Sequence, residues 1–268
     1  MDKKTILKMS YTEFVAYVDQ WNVPPGSLDT INQWAVFGHV DESSKILEVA
    51  CTTGLSSREI ARITGCASKG IDICPYSVDA AQYNAARYGK GMNLDYECAD
   101  AAEYETDEKF THVIIGAGLG FFKEPRKMLD RIPRFFNRSG YLLASPYYSC
   151  GEMPEKVKED CKKIIGITPT TMNYDVMRNA YANYEIAYEK RCSIVIETEE
   201  QMKKYAYDTV KRGCEIRGIS SEEVFDCMYN RLYSIKKVSN EMHKYQAYSV
   251  MVFRYIKDIY PNKFLELF

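Results

Sequence analysis

The sequence contains no C-x-x-C pair, no apolar run approaching the length of a membrane span and no excess of positive charge. Each absence excludes something. Lys and Arg total 35 against 37 Asp and Glu, a formal net charge of −2, so the chain lacks the electrostatic footprint of a phosphate-backbone binder and no nucleic-acid partner is expected. The nine cysteines, at positions 51, 66, 74, 98, 150, 161, 192, 214 and 227, are odd in number and lack the spacing of a metal site. No signal-peptide pattern follows Met1-Asp2-Lys3-Lys4. Together these features point to reduced thiols in a soluble, cytoplasmic protein with no metal and no membrane partner. Histidine is scarce as well: only His39, His112 and His243 are available. His112 falls inside a strand-like run and reads as structural.

What is present supports a full core. Hydrophobic residues make up 46% of 268 residues, enough for one large domain or a domain with a substantial insertion, and tyrosine is abundant at 22. No internal repeat or low-complexity segment is visible. The chain is organised around residues 45–54, Lys-Ile-Leu-Glu-Val-Ala-Cys-Thr-Thr-Gly. A short apolar run stops at small residues and a glycine, and helical spacing follows from Leu55 to Ile60. This is the pattern of a buried strand, a tight turn and a helix N-terminus whose free N–H groups face the turn.

The same alternation continues on both sides. Residues 5–21 have helical periodicity, Asn22-Val23-Pro24-Pro25-Gly26-Ser27 interrupts it, and a second helix runs from Leu28 to about Gly38. After the first strand and its helix, residues 69–73 form a second strand that ends on Asp72, with Pro75 opening the next helix. Residues 94–98 form a third strand ending at Asp100, residues 110–115 a fourth followed by Gly116-Ala117-Gly118-Leu119-Gly120, and residues 141–144 a fifth. Short connections between alternating strands and helices indicate right-handed βαβ units and a parallel sheet. Beyond residue 146 the rhythm changes. Helices are expected at 153–165 and 173–182, a sixth strand over 184–196, two long helices within 199–242 and a closing strand over 245–256.

Residues 47–54 resemble the first motif of class I S-adenosylmethionine-dependent methyltransferases, an acidic residue followed by G-x-G-x-G. Asp72 follows Gly54 at close to the ~20-residue interval expected for a ribose-binding carboxylate. Asp72-Ile73-Cys74-Pro75 with Ala80-Ala81 looks like the family's second motif, and Asp100-Ala101 resembles its adenine-side acidic position. The resemblance implies an α/β, Rossmann-like doubly wound sheet of about seven strands with the last strand antiparallel. It implies S-adenosylmethionine as cofactor, held by Glu48, Ala50, Cys51, Thr52, Gly54, Asp72, Ile73, Asp100, Ala101 and Gly116. Residues 1–40 are then an N-terminal helical cap, 41–198 and 243–260 the core, and 199–242 a helical lid inserted between the last two strands. Ala50 and Thr52 stand where the family usually has its first two glycines. A β-branched Thr takes positive φ only at a cost, so the turn is expected to differ locally and the cofactor site to be weakened.

The acceptor implied by this reading is a small molecule above the carboxyl ends of the strands. Tyr147, directly after a strand, is expected to contact the acceptor and serve catalysis, with Tyr11, Tyr17, Trp21, Phe121, Phe122 and Tyr148 lining the pocket. The sequence leaves the oligomeric state open between monomer and dimer. Three other readings compete. A dehydrogenase of the same fold needs G-x-G-x-x-G, which residues 50–55 do not supply. A nucleic-acid base methyltransferase is suggested by Ser145-Pro146-Tyr147-Tyr148, but that motif belongs after the fourth strand, and here it follows the fifth. A binding protein that keeps the fold without catalysis is motivated by Ala50 and Thr52.

Overall fold

A computed structural model describes residues 2–257. The N-terminal interruption expected at residues 22–27 is present, and a further one lies at Ser10. Periodicity over residues 5–21 resolves into two short helices, α1 (Lys3–Lys8) and α2 (Tyr11–Tyr17), because Ser10 forms a capping box: its hydroxyl accepts from the Glu13 N–H while the Glu13 carboxylate accepts from the Ser10 N–H. Helix α3 (Ser27–Phe37) follows the Pro24-Pro25-Gly26 interruption. Then come β1 (Lys45–Val49), α4 (Leu55–Thr64), β2 (Ala67–Asp72), α5 (Pro75–Tyr88), β3 (Leu94–Cys98), β4 (Phe110–Gly116), α6 (Pro125–Arg131) and β5 (Phe136–Ala144). The remainder comprises β6 (Tyr147–Ser149), α7 (Glu155–Asp160), α8 (Tyr174–Ala180), β7 (Glu185–Ser193), α9 (Glu199–Arg217), α10 (Glu222–His243) and β8 (Gln246–Ile256). No helix among the described residues is long and apolar enough to cross a membrane.

The strands form one sheet in the order β3-β2-β1-β4-β5-β8-β6, with β7 on the other edge of β8. Strands β1 to β5 are mutually parallel, and β8 runs antiparallel to β5, β6 and β7. This is the doubly wound α/β sheet with an antiparallel last strand. There are eight strands rather than about seven because Pro146, which has no N–H to donate, splits one long run into β5 and β6. Both halves still pair with β8, Ala144 opposite Met251 and Tyr147 opposite Tyr248. The sheet is buried on both faces. One face carries Leu47, Val113, Leu142 and Phe253 under α6 and α8, and the other carries Ile46, Ile114 and Val252 under α3 and α4.

A separate helical core lies outside the sheet. Ile6, Phe14, Val15 and Val18 from the N-terminus pack with Ala206, Val210, Met228 and Leu232 from α9 and α10. The cap is therefore built jointly from α1–α2 and the segment between β7 and β8. Helix α3 is not part of it: Ile31 and Trp34 belong to the sheet core, and the Trp34 indole N–H donates to the Ala144 carbonyl at 3.2 Å. Helix α3, expected within the N-terminal cap of residues 1–40, thus packs with the sheet. Of the core segment expected to end at residue 260, the last three residues lie outside the described residues.

Close approach of α9 to the end of α2 depends on Gly213, where an added Cβ would stand 2.8 Å from the Val18 carbonyl oxygen and 3.0 Å from two further backbone atoms. Backbone cannot swing away as a flexible side chain can. Gly213→Ala is expected to lower the unfolding free energy by about 2 kcal/mol in urea titration, the cost of overpacking a tight contact outweighing the better helix propensity of Ala.

Candidate active site

The sheet order reverses at β1, which lies between β2 and β4, so the loops after β1 and β4 diverge and open a crevice at the carboxyl ends of the strands. The first wall of the crevice is residues 50–54. Ala50 has φ 54°, Thr52 φ 49° and Gly54 φ 68°, all in the left-handed region. The expectation of a locally different turn is overturned. The turn has the alternating left-handed backbone that a G-x-G-x-G sequence adopts freely, held here on two residues that take it at about 1–2 kcal/mol each.

What holds it is a set of hydrogen bonds converging from β2. The Cys51 N–H donates to the Ile71 carbonyl at 3.0 Å, and the Gly54 N–H closes the turn on the Cys51 carbonyl at 2.8 Å. The Thr52 N–H donates to Asp72 Oδ2 at 2.9 Å, while Asp72 Oδ1 accepts from the Cys74 N–H at 2.8 Å. Asp72 is buried, and burial raises its pKa against the opposing pull of those two N–H donors and the Ser77 hydroxyl. The carboxylate thus ties two loops together, and with about four acceptor sites it is not saturated by these donors. Ile73, next to it, is 68% exposed and presents an apolar face there.

Glu48 was expected to touch cofactor, but the structure gives it a different task. It is buried beneath the loop, and Oε2 accepts the Ser57 N–H at 3.0 Å, satisfying one free donor at the start of α4. Burial pushes its pKa up to about 7. Cys51 likewise contributes backbone only: its side chain is in the core with Tyr96, and burial raises the thiol pKa well above the ordinary value. Asp100 is exposed after β3, its Oδ1 accepting from the Ala102 N–H at 2.8 Å, and Ala101 is buried in the core. Gly116 ends β4 with φ 53°, and Gly118 comes within ordinary contact of Ala50 across the crevice, an added Cβ lying 3.6 Å from the Ala50 Cβ.

The cap presses on the outer side of the same loop. Thr53 Oγ1 donates to the Gln20 carbonyl at 3.3 Å. Asp19, buried and itself at φ 52°, accepts from Trp21 Nε1, Asn84 Nδ2 and Arg212 Nε at 3.2, 2.8 and 3.2 Å. The residues expected to line an acceptor pocket divide. Tyr11 and Tyr147 come near one another, and burial together with the Tyr11 hydroxyl disfavours ionisation of Tyr147. Tyr17 instead meets Tyr76 edge-on at 6.1 Å and lies under the Arg217 guanidinium. Trp21 packs on Tyr88 and the two arginines Arg58 and Arg212, outside the crevice. Tyr148 alternates to the opposite face of the sheet, buried against Tyr174. Phe121 is 60% exposed on the loop after β4, and Phe122 packs against the core beside it. Ser145 and Pro146 do follow β5, not β4. Among the described residues no group of three His, Cys, Asp or Glu side chains could hold a metal ion.

Two aromatic neighbours of Tyr11 and Tyr147 were not singled out from the sequence. Tyr205 of α9 lies near Tyr11, and His243, in the last turn of α10, stacks on Tyr147 with ring centroids 5.7 Å apart. Neither lies in a motif. Only the density of aromatic residues in 199–243 hinted at them.

With this geometry established, the chain can be compared with known proteins. Residues 46–140 match a family described as methyltransferase domain. Over that segment, from β1 to the start of β5, the chain is similar to this family. Its fold matches the crystal structure of MccD protein at 25% identity and a TM-score of 0.71, covering 87% of this chain and 99% of that one. It also matches an S-adenosylmethionine-dependent methyltransferase from Geobacter sulfurreducens, solved with S-adenosylhomocysteine, at 14% identity and a TM-score of 0.66, covering 90% and 96%. Curated relatives include an uncharacterized protein of Haemophilus influenzae, 26% identical over 165 residues, and sterol 24-C-methyltransferase of Clavispora lusitaniae, 26% identical over 164. Those matches cover 60% and 57% of this chain but only 66% and 43% of the relatives' lengths.

Two measurements check the loop. Thr52→Gly is expected to raise the unfolding free energy by about 1 kcal/mol in urea titration, because relief of left-handed strain exceeds the added chain entropy of Gly. Glu48 generates the second. A carboxyl whose pKa is raised on folding stabilises fully below its ordinary value of 4.5, and that contribution declines as pH rises toward about 7. Between pH 4.5 and 7.5 the natural protein should therefore lose more stability than Glu48→Gln, by up to roughly 3 kcal/mol. Parallel pH profiles for the two would show that Glu48 is not held neutral.

Proposed function

We propose that the chain transfers a methyl group from S-adenosylmethionine to a small-molecule acceptor. The observation that carries this reading is the left-handed backbone at 50, 52 and 54, tied through the Thr52 N–H to the carboxylate of Asp72. A nucleoside that carries no phosphates needs close backbone approach and an acceptor for two vicinal hydroxyls, and these residues offer both. The same backbone weighs against a binder with a degenerate loop, since the substitutions at 50 and 52 leave the turn intact.

The cofactor supplies an electrophilic methyl group on a sulfonium. This chain's residues position and exclude. Asp72 accepts the ribose hydroxyls, Ile73 provides an apolar face for the base with Asp100 near its amino edge, and the backbone at Ala50 and Gly116 leaves room for the amino-acid end. The aromatic side chains under the cap hold the acceptor in line with the carbon–sulfur bond and keep water out, which lowers the barrier chiefly through orientation. Helices α9 and α10 act as the lid that shapes the acceptor site. All nine cysteines are free thiols, which supports a reducing, cytoplasmic setting.

Isothermal titration with S-adenosylhomocysteine tests the reading. The natural protein is expected to bind it, and Asp72→Ala to bind at least ~10-fold more weakly, the scale of a lost charged hydrogen-bonding pair. Equal affinity of the two proteins would remove the ribose assignment and with it the reading of the crevice.

A further inference from the structure

The end of the cap meets the loop of residues 50–54 at a buried polar joint. Asp19, Gln20 and Trp21 come just after α2, and each touches a different part of the sheet core. Asp19 accepts from the Asn84 side-chain amide at 2.8 Å, the Gln20 carbonyl accepts from the Thr53 hydroxyl at 3.3 Å, and the Trp21 ring meets Tyr88 and Arg58. Asn84 and Tyr88 lie one turn apart on the same face of α5. From that face Asn84 reaches the Thr53 carbonyl at 3.5 Å, and the Tyr88 ring lies 5.8 Å from the Arg58 guanidinium. Arg58 itself is in the first turn of α4, directly after the loop. Gln20, Asn84 and Arg58 therefore converge behind Thr53 from the cap, from α5 and from α4.

This joint holds hydrogen-bonding capacity that the protein does not spend on itself. Arg58 is 1% exposed, yet its Nε and Nη1 have no hydrogen-bond partner among the described residues. Asn84 is fully buried and its Oδ1 has none, nor has the buried Oε1 of Gln20. Donation to Asp19 fixes which way the Asn84 amide points, so Oδ1 is the atom left over. Polar atoms at such depth ordinarily have a partner. The faces of Trp21 and Tyr88 offset the charge of the guanidinium but do not accept its in-plane N–H groups. The unmet groups match: two donor nitrogens on one side, two acceptor oxygens on the other. An anion could accept from Arg58 but could donate nothing to the amide oxygens, and a cation would be repelled by the guanidinium. A neutral group that both accepts and donates twice fits, and water is the smallest such group.

We propose that an internal water occupies this joint, accepting from Arg58 and donating to Asn84 Oδ1 and Gln20 Oε1, and that through it Arg58 positions residues 52–54 for the nucleoside. The positioning role rests on the methyl-transfer reading above, whereas the water does not. Thr53 lies between Thr52, whose N–H is held by Asp72, and Gly54. Its carbonyl and hydroxyl are gripped by Asn84 and Gln20 at 3.5 and 3.3 Å, both long for hydrogen bonds. A water anchored on a buried guanidinium holds both of these residues against the loop from behind. Arg58 thus acts through the water and Thr53, without touching a ligand.

A high-resolution crystal structure of the natural protein tests the water directly. The expected result is one density peak at about 2.7–3.2 Å from an Arg58 nitrogen, Asn84 Oδ1 and Gln20 Oε1. A direct bond from Arg58 to either amide, or side chains packed with no peak between them, overturns it. Titration of S-adenosylhomocysteine into the natural protein, Arg58→Met and Arg58→Lys tests the positioning role. Arg58→Met is expected to bind ~10-fold more weakly, and Arg58→Lys, which returns a charged donor, to recover to within about threefold of the natural protein. Lower stability of Arg58→Met in urea with unchanged affinity overturns the role. Should Arg58→Met fail to fold, Gln20→Met deletes one acceptor at nearly constant size: affinity about threefold weaker supports the role, and unchanged affinity overturns it. If the natural protein itself does not bind S-adenosylhomocysteine, the methyl-transfer reading and the positioning role fall together, and the density peak alone decides the water.

Discussion

The structure depends on one carboxylate facing two ways. Asp72 fixes the left-handed turn after β1 through the Thr52 N–H and the start of α5 through the Cys74 N–H, while keeping lone pairs for a ligand. Without that anchor, the backbone at Ala50 and Thr52 would relax out of a region that L-residues occupy at a cost. Strain of this kind survives only where the surroundings over-determine it. Here they do, because the Cys51 N–H is bonded from β2, the Thr53 carbonyl and hydroxyl meet α5 and the cap, and Glu48 holds the helix start from beneath.

This also explains which glycine of the loop is kept. At Gly54 a Cβ would stand 2.6 Å from the Tyr96 ring and 2.7 Å from its hydroxyl, which donates to the Gly54 carbonyl. At Ala50 the Cβ is present and comfortable. Position 54 therefore has a steric demand as well as a torsional one, and positions 50 and 52 only the torsional one. A torsional cost near 1 kcal/mol can be carried by neighbouring hydrogen bonds, whereas a clash with a buried ring cannot. The glycine pattern of the family is thus two requirements of different strength, and only the weaker one has been given up.

Local patterns made the sheet legible. Apolar runs ending on small or acidic residues marked β1 to β5, and helix starts followed from Pro75 and the small residues before Leu55. The eighth strand was not legible, because Pro146 interrupts pairing without ending the run. Nor was the split at Ser10, where a capping box competes with continuous helical periodicity. Thr52 was misjudged for a physical reason: propensity gives the cost of positive φ at one residue but not the hydrogen bonds that other segments contribute. At the site, Asp72 could be read because its spacing from Gly54 is fixed by one strand–helix–strand unit. Glu48, in the same motif, turned inward because β-strand alternation puts it on the face opposite Leu47 and Val49.

The aromatic side chains proposed to meet an acceptor follow a different rule. Tyr11, Tyr147, Tyr205 and His243 come from four elements spread over nearly the whole chain, and no spacing relates them. Their positions are set by the cap, whose core of Phe14, Val15, Val210 and Leu232 is distinct from the sheet core. Its attachment to the loop runs through Asp19, another residue at positive φ, which accepts from Asn84 on the sheet side and Arg212 on the cap side. That contact grips the outside of the loop, and Asp72 grips the inside. The two halves of the site are therefore held by separate cores and joined by one buried carboxylate.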